Sequence, residues 1–120
     1  MYCRGIRGAT TVQENTRESI VQGTKDLLKR IVEANHIEVD MVAGAFFTTS
    51  QDLNAEFPAL GARQLGWANS ALLCGHEMFV PGSLEKCIRI LILYNTEKTA
   101  GEIKHIYING AESLRVDISN

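Results

Sequence analysis

The stretch KCIRILILYN, residues 86–95, constrains this chain more than any other, because it reads as a strand without a polar face. In an extended segment alternate side chains share a face. Ile88, Ile90, Ile92 and Tyr94 point one way, and Cys87, Arg89, Leu91 and Leu93 the other. A strand apolar on both sides is expected to be covered on both sides. Arg89 is the one exception within it. A guanidinium does not shed its proton, and burying it unpaired is expensive. Something negative must meet it.

The rest of the chain supplies partners for such a strand. Residues 2–7 read as a first strand, interrupted by Gly5 and ended at Gly8, and GATTVQEN reads as a polar loop. Asn15 followed by Glu18 has the spacing of a capping box. A long helix follows, with Ile20, Leu27, Leu28, Ile31 and Val32 on one face, stopping near Asn35 and His36. Residues 41–48 form a second strand, in which Gly44 permits a close neighbour or a bulge. Pro58 fits the first turn of a short helix over 59–65, which Gly66 ends. Residues 71–80 are a third strand or two short extended pieces, 85–95 the fourth, and 105–108 the fifth. The stretch EKTAGEIK between the last two has room for one helical turn.

Strands and helices that do not alternate cleanly favour an α/β or α+β layer with a mixed five-stranded sheet, one long helix and one or two short ones. At 120 residues the expectation is a single domain over 1–120. One long helix cannot cover both faces of that sheet. The unaccounted apolar face therefore predicts an oligomer.

Composition removes several classes of function. Lys and Arg number 12 against 14 Asp and Glu, which suggests neither a nucleic-acid surface nor a polybasic membrane anchor. The longest apolar run falls far short of the roughly 20 residues that span a bilayer. The first residues, MYCRGIRGATT, lack an apolar signal core, so no export is expected. Cys3, Cys74 and Cys87 are odd in number and far apart, which suits a reducing cytoplasm better than a disulfide framework or a zinc site. His36, His76 and His105 have no ligand spacing, so no metal is expected. GIRGAT is not a dinucleotide fingerprint, and neither a phosphate-binding loop nor a nucleophile elbow is present.

What remains is arginine in or beside strands: Arg4, Arg7, Arg89 and Arg115. These are either separate structural ion pairs or surface positions, or guanidinium groups converging on a small anion, whose oxygens the planar fork binds in pairs. Glu77 supplies either a counter-charge or an acceptor for a hydroxyl group. The residues taken alone lead to a small-anion pocket that demands neither cofactor nor general base.

Arranged along the chain, RGIRGATTV at 4–12, FPA followed by Arg63, CxxEM at 74–78, CIR at 87–89, HxY at 105–107 and LR at 114–115 closely resemble the AroH-type chorismate mutases. The resemblance covers nearly the whole sequence in order. It implies conversion of chorismate to prephenate, without metal or cofactor, by a homotrimer with a barrel-like core and active sites at the subunit clefts. It also implies roles. Arg89 donates to the ether oxygen, Arg7 holds a carboxylate, and Tyr107 adds a hydrogen bond at the same end. Glu77 accepts the ring hydroxyl, with Cys74 beside it. Phe57, Ala59, Leu73 and Leu114 are walls, while Arg63 and Arg115 stand at the mouth.

Two positions depart from the family pattern. Leu60 replaces a common lysine, which predicts weaker steering of the dianion, and Leu73 stands where a small hydroxylated residue is familiar. The sequence ends soon after Arg115, leaving little of the tail that some members fold over the site. Rival readings are an imine deaminase of similar architecture, marked by ammonia release, and a non-catalytic sensor of small dicarboxylates, marked by binding without turnover.

Overall fold

The doubly apolar strand occupies the middle of a five-stranded sheet. A computed structural model describes residues 1–115, the side chain of Arg115 excepted. In chain order the elements are β1 (Tyr2–Thr11), α1 (Arg17–Asn35), β2 (Val42–Thr49), α2 (Ala59–Gln64), β3 (Ala71–His76), β4 (Cys87–Thr96) and β5 (Ile106–Tyr107). Short 3-10 turns lie at Val39–Met41, Ala100–Glu102 and Glu112–Arg115. The strand order is β3-β2-β4-β1-β5. β4 runs antiparallel to both neighbours, while β2 with β3 and β1 with β5 are parallel pairs. The sheet is therefore mixed, as the strand and helix order led one to expect. No helix among the described residues is long and apolar enough to cross a membrane.

The isoleucine face of β4 packs against α1. Ile90 and Ile92 join Leu27, Leu28 and Ile31 of the helix, with Phe47 and Trp67, in one cluster. Ile88 packs with Ile20 and Leu53 in another. Each such side chain contributes about 1.5–3 kcal/mol relative to exposure. The opposite face is not closed within one chain. Arg89, Leu91 and Leu93 are only half-buried, Phe46 is 41% exposed and Leu73 62% exposed. The expectation of cover on both sides thus fails for the single chain, because its one long helix lies on one side only.

Several boundaries differ from the sequence reading for identifiable reasons. β1 continues through Gly8 to Thr11, paired residue by residue with β4, so the loop begins only at Val12. Gly8 belongs in the strand because α1 passes so close: a Cβ there would meet Ile31 Cδ1 at 2.7 Å. Gly44 does mark a bulge, with a register shift between Val42 and Gly44. β3 ends at His76, and Met78, Phe79 and Val80 are exposed outside the sheet. β5 has only two residues.

The helix cap also moves by one residue. Thr16, not Asn15, is the N-cap of α1, its side chain accepting from the Ser19 amide at 3.1 Å. Asn15 is engaged elsewhere: its Oδ1 accepts from the amides of Asn54 and Ala55, and its Nδ2 donates to Asn54 Oδ1. A loop distant in sequence took the side chain that local spacing had assigned to the cap. At the other end the expected stop holds, with His36 in the left-handed region at φ 52°.

Candidate active site

Register decides what surrounds Arg89. Across the antiparallel pairs it stands opposite Thr48 on β2 and Ala9 on β1, and Ala9 in turn stands opposite Tyr107 on β5. Directly paired residues share a face, so Thr48, Arg89, Ala9 and Tyr107 form a row across the open side of the sheet. Ala9, the small member of the row, is fully buried in a cluster with Cys87 and Ala111, against which Tyr107 and Leu114 pack. In the next row Arg7 and Phe46 both stand opposite Leu91. A cavity of about 320 Å³ follows these rows, lined by Arg7, Phe46, Thr48, Glu77, Arg89, Leu91, Tyr107 and Leu114 among others.

Glu77 reaches the cavity from just beyond β3. Its amide donates to the Thr49 carbonyl at 2.8 Å, and its carboxylate accepts the Thr48 hydroxyl. No ion pair within 4.0 Å joins Glu77 to Arg89; among the described residues the ion pairs are Met1–Glu97 and Arg17–Glu56. The Nε of Arg89 is buried and, among the described residues, makes no hydrogen bond. An orphaned charged donor is costly unless a ligand supplies its acceptor. Beside it Cys87 is 2% exposed. Burial raises its pKa, and the adjacent guanidinium offsets part of that.

The other residues singled out from sequence lie elsewhere on the chain. Cys74 pairs with Phe47, so it faces α1 and not Arg89. With Phe57, Pro58 and His76 it lines a separate cavity of about 390 Å³. Its thiol pKa is raised by burial, partly countered by the Ala59 amide and the Arg63 charge, which groups Ala59 and Arg63 with it. Phe57 is 66% exposed, whereas Ala59 is buried. Leu73 stands on the Arg89 face but on the outer strand, beside Phe46. The Arg115 side chain lies outside the described residues.

One chain therefore brings together Arg7, Glu77, Arg89, Tyr107 and Leu114, and keeps Phe57, Ala59, Arg63, Leu73 and Cys74 out of that cavity. Thr48 and Phe46 line it too and had no signal in the sequence. Their position depends on pairing with a strand some forty residues later. Among the described residues no group of three or more His, Cys, Asp or Glu side chains is arranged to hold a metal ion.

Known proteins agree on the relationship. Residues 3–118 match the family model described as chorismate mutase type I. The chain is 44% identical over 118 residues to chorismate mutase AroH of Thermus thermophilus, covering 98% of this chain and 97% of that protein. It is 42% identical over 120 residues to chorismate mutase AroH of Bacillus subtilis strain 168, covering 99% and 94%. A solved chorismate mutase from Clostridium thermocellum superposes with a TM-score of 0.89 at 50% identity, over 91% of this chain and 97% of that one. With sequence, fold and the arginine-lined cavity in accord, the chain belongs to the chorismate mutase type I family.

Proposed function

We propose that this chain, a chorismate mutase and so an isomerase by family, converts chorismate to prephenate by fixing one conformer and stabilising charge as it separates. The observation that carries the mechanism is the buried Arg89 Nε, without a hydrogen-bond acceptor among the described residues, at a cavity shared with Arg7, Glu77 and Tyr107. In the rearrangement an ether C–O bond breaks as a C–C bond forms. The departing oxygen gains negative charge while the ring gains positive character.

Arg89 donates to that oxygen and binds the transition state more strongly than the substrate, which is the condition for acceleration. Arg7 takes a carboxylate and Tyr107 adds a hydrogen bond at that end. Glu77, held by Thr48, accepts the ring hydroxyl and lies where positive charge is tolerated. Holding the reacting carbons together supplies the remaining advantage through orientation. Prephenate formation belongs to phenylalanine and tyrosine biosynthesis.

The site is completed by a second subunit in this reading. Phe57, Ala59, Arg63 and Cys74 lie away from the Arg89 cavity of their own chain, and the open face carries exposed Phe46 and Leu73. A homotrimer buries that face and brings the second group to the cavity mouth, together with Arg115. Leu60 leaves the mouth one cation short of the common family pattern. A cytoplasmic location belongs to the same reading, since the three cysteines are free thiols.

Loss of chorismate absorbance with purified protein tests the activity, beside Arg89→Ala and Arg89→Lys. Loss of this donor is expected to cost about 2.7–4 kcal/mol of barrier, a hundred- to thousandfold in rate. Lysine restores only part of it, having the charge without the fork. Full activity in a folded Arg89→Ala variant refutes the mechanism and leaves the family intact.

A further inference from the structure

The two-residue strand β5 is extended by a side chain. Its ladder with β1 covers Gly8 and Ala9, and the Ile108 amide continues it to the Ala9 carbonyl at 3.0 Å. At the other end the backbone amide of Arg7 donates to Nδ1 of His105 at 2.9 Å. The imidazole thus takes the place of a main-chain carbonyl for one rung. That rung fixes Arg7 against the segment bearing Tyr107, and both residues line the Arg89 cavity.

His105 is itself held from behind. The Lys104 amide donates to Asn35 Oδ1 at 2.8 Å, and the Lys104 carbonyl accepts from Asn35 Nδ2 at 2.9 Å. Asn35 is 1% exposed at the end of α1. The helix therefore sets the backbone that presents the imidazole, and the imidazole sets the strand that presents the arginine.

We infer that His105 is a positioning residue for substrate binding: its neutral Nδ1 fixes the backbone of Arg7, and its protonation loosens that end of the cavity. This rests on the role given to Arg7 above. Nδ1 accepts only while unprotonated, because the imidazolium carries a hydrogen on both nitrogens and meets the Arg7 amide donor to donor. Among the described residues, Arg30 and Glu33 on α1 line an open cavity of about 420 Å³ with His105 and Tyr107, and Arg7 meets the ring through its backbone amide. Binding is therefore intact when the ring is neutral and weakened when it is charged.

The test measures kcat and KM for chorismate between about pH 5 and 8, the range in which histidine changes charge, for the native protein, His105→Asn, His105→Leu and Arg7→Ala. Asparagine offers an acceptor that does not titrate. His105→Leu is expected to raise KM roughly three- to tenfold with kcat little changed, as for one lost hydrogen bond. The native KM is expected to rise on acidification, and His105→Asn to keep the native KM at pH 8 without that rise; a native KM that stays flat overturns the inference. A native KM in His105→Leu beside a raised one in Arg7→Ala overturns this inference alone, and so does an acid limb that survives in His105→Asn. An unchanged KM in Arg7→Ala refutes the role of Arg7 and takes the inference with it.

Discussion

Thr48 donates its hydroxyl hydrogen to the Glu77 carboxylate from the position directly opposite Arg89. One β2 side chain thereby holds the acid of the cavity at the place where the strand bearing Arg89 passes. Thr48→Val keeps the shape and removes the donor. We expect kcat/KM to fall about two- to tenfold, the worth of one hydrogen bond, with secondary structure and assembly unchanged. Glu77→Gln is expected to fall further. Equal activity of Thr48→Val and the native protein shows that Glu77 is held by something else.

A site shared between subunits predicts complementation. Arg89→Ala damages one group of residues and Arg63→Glu the other, so mixed assemblies contain some sites spared both changes. Unfolding the two variants together and refolding them is expected to give more activity than the sum of the two refolded separately. Light scattering checks the trimer on the same samples. If mixed trimers form and activity does not exceed the sum, each site is built from one chain.

The three thiols differ in access. Cys3 is exposed, Cys74 intermediate and Cys87 buried. Burial raises the pKa of both Cys74 and Cys87, and the thiolate is the species that alkylates. Iodoacetamide near neutral pH is expected to modify Cys3 first and Cys87 last, as read by peptide mass spectrometry. Denaturant is expected to level the three rates. Early labelling of Cys87 is the result that contradicts this order.

Asp52 ties the turn after β2 to the start of β4. Its carboxylate accepts from the Ser50 hydroxyl and from the Lys86 amide at 2.9 Å. Burial favours the neutral acid, but the hydrogen bonds from Ser50 and Lys86 and the Lys86 charge outweigh it and lower the pKa. A lowered folded-state pKa gives stability that is present above the unfolded value, about 3.9, and lost as pH falls through the folded one. The group is largely exposed, so the gain is at most about 1 kcal/mol. Asp52→Asn is expected to melt slightly below the native protein at pH 7, with the gap closing below about pH 4. A gap of equal size at both pH values assigns the effect to neutral hydrogen bonding.

Much of the architecture was readable from local pattern. The 3.6-residue stripe from Ile20 to Ile31 defined α1, and Pro58 with Gly66 framed α2. The alternation in residues 86–95 identified both the central strand and the charge that makes it unusual. These features depend on neighbours within one or two turns of the chain, so the sequence alone determined them. The apolar surplus on the Arg89 face was legible for the same reason.

Tertiary structure decided what meets what. Asn15 has the spacing of a cap, but the amides of Asn54 and Ala55 claimed its side chain and left Thr16 to cap α1. Thr48, Ala9 and Tyr107 come from three strands, and only the register of the sheet places them in line with Arg89. A slip of one residue would turn Thr48 to the helix side. Cys74 faces α1 for the same geometric reason. Local spacing specifies which face of its own element a side chain takes, whereas long-range pairing specifies which cavity that face lines.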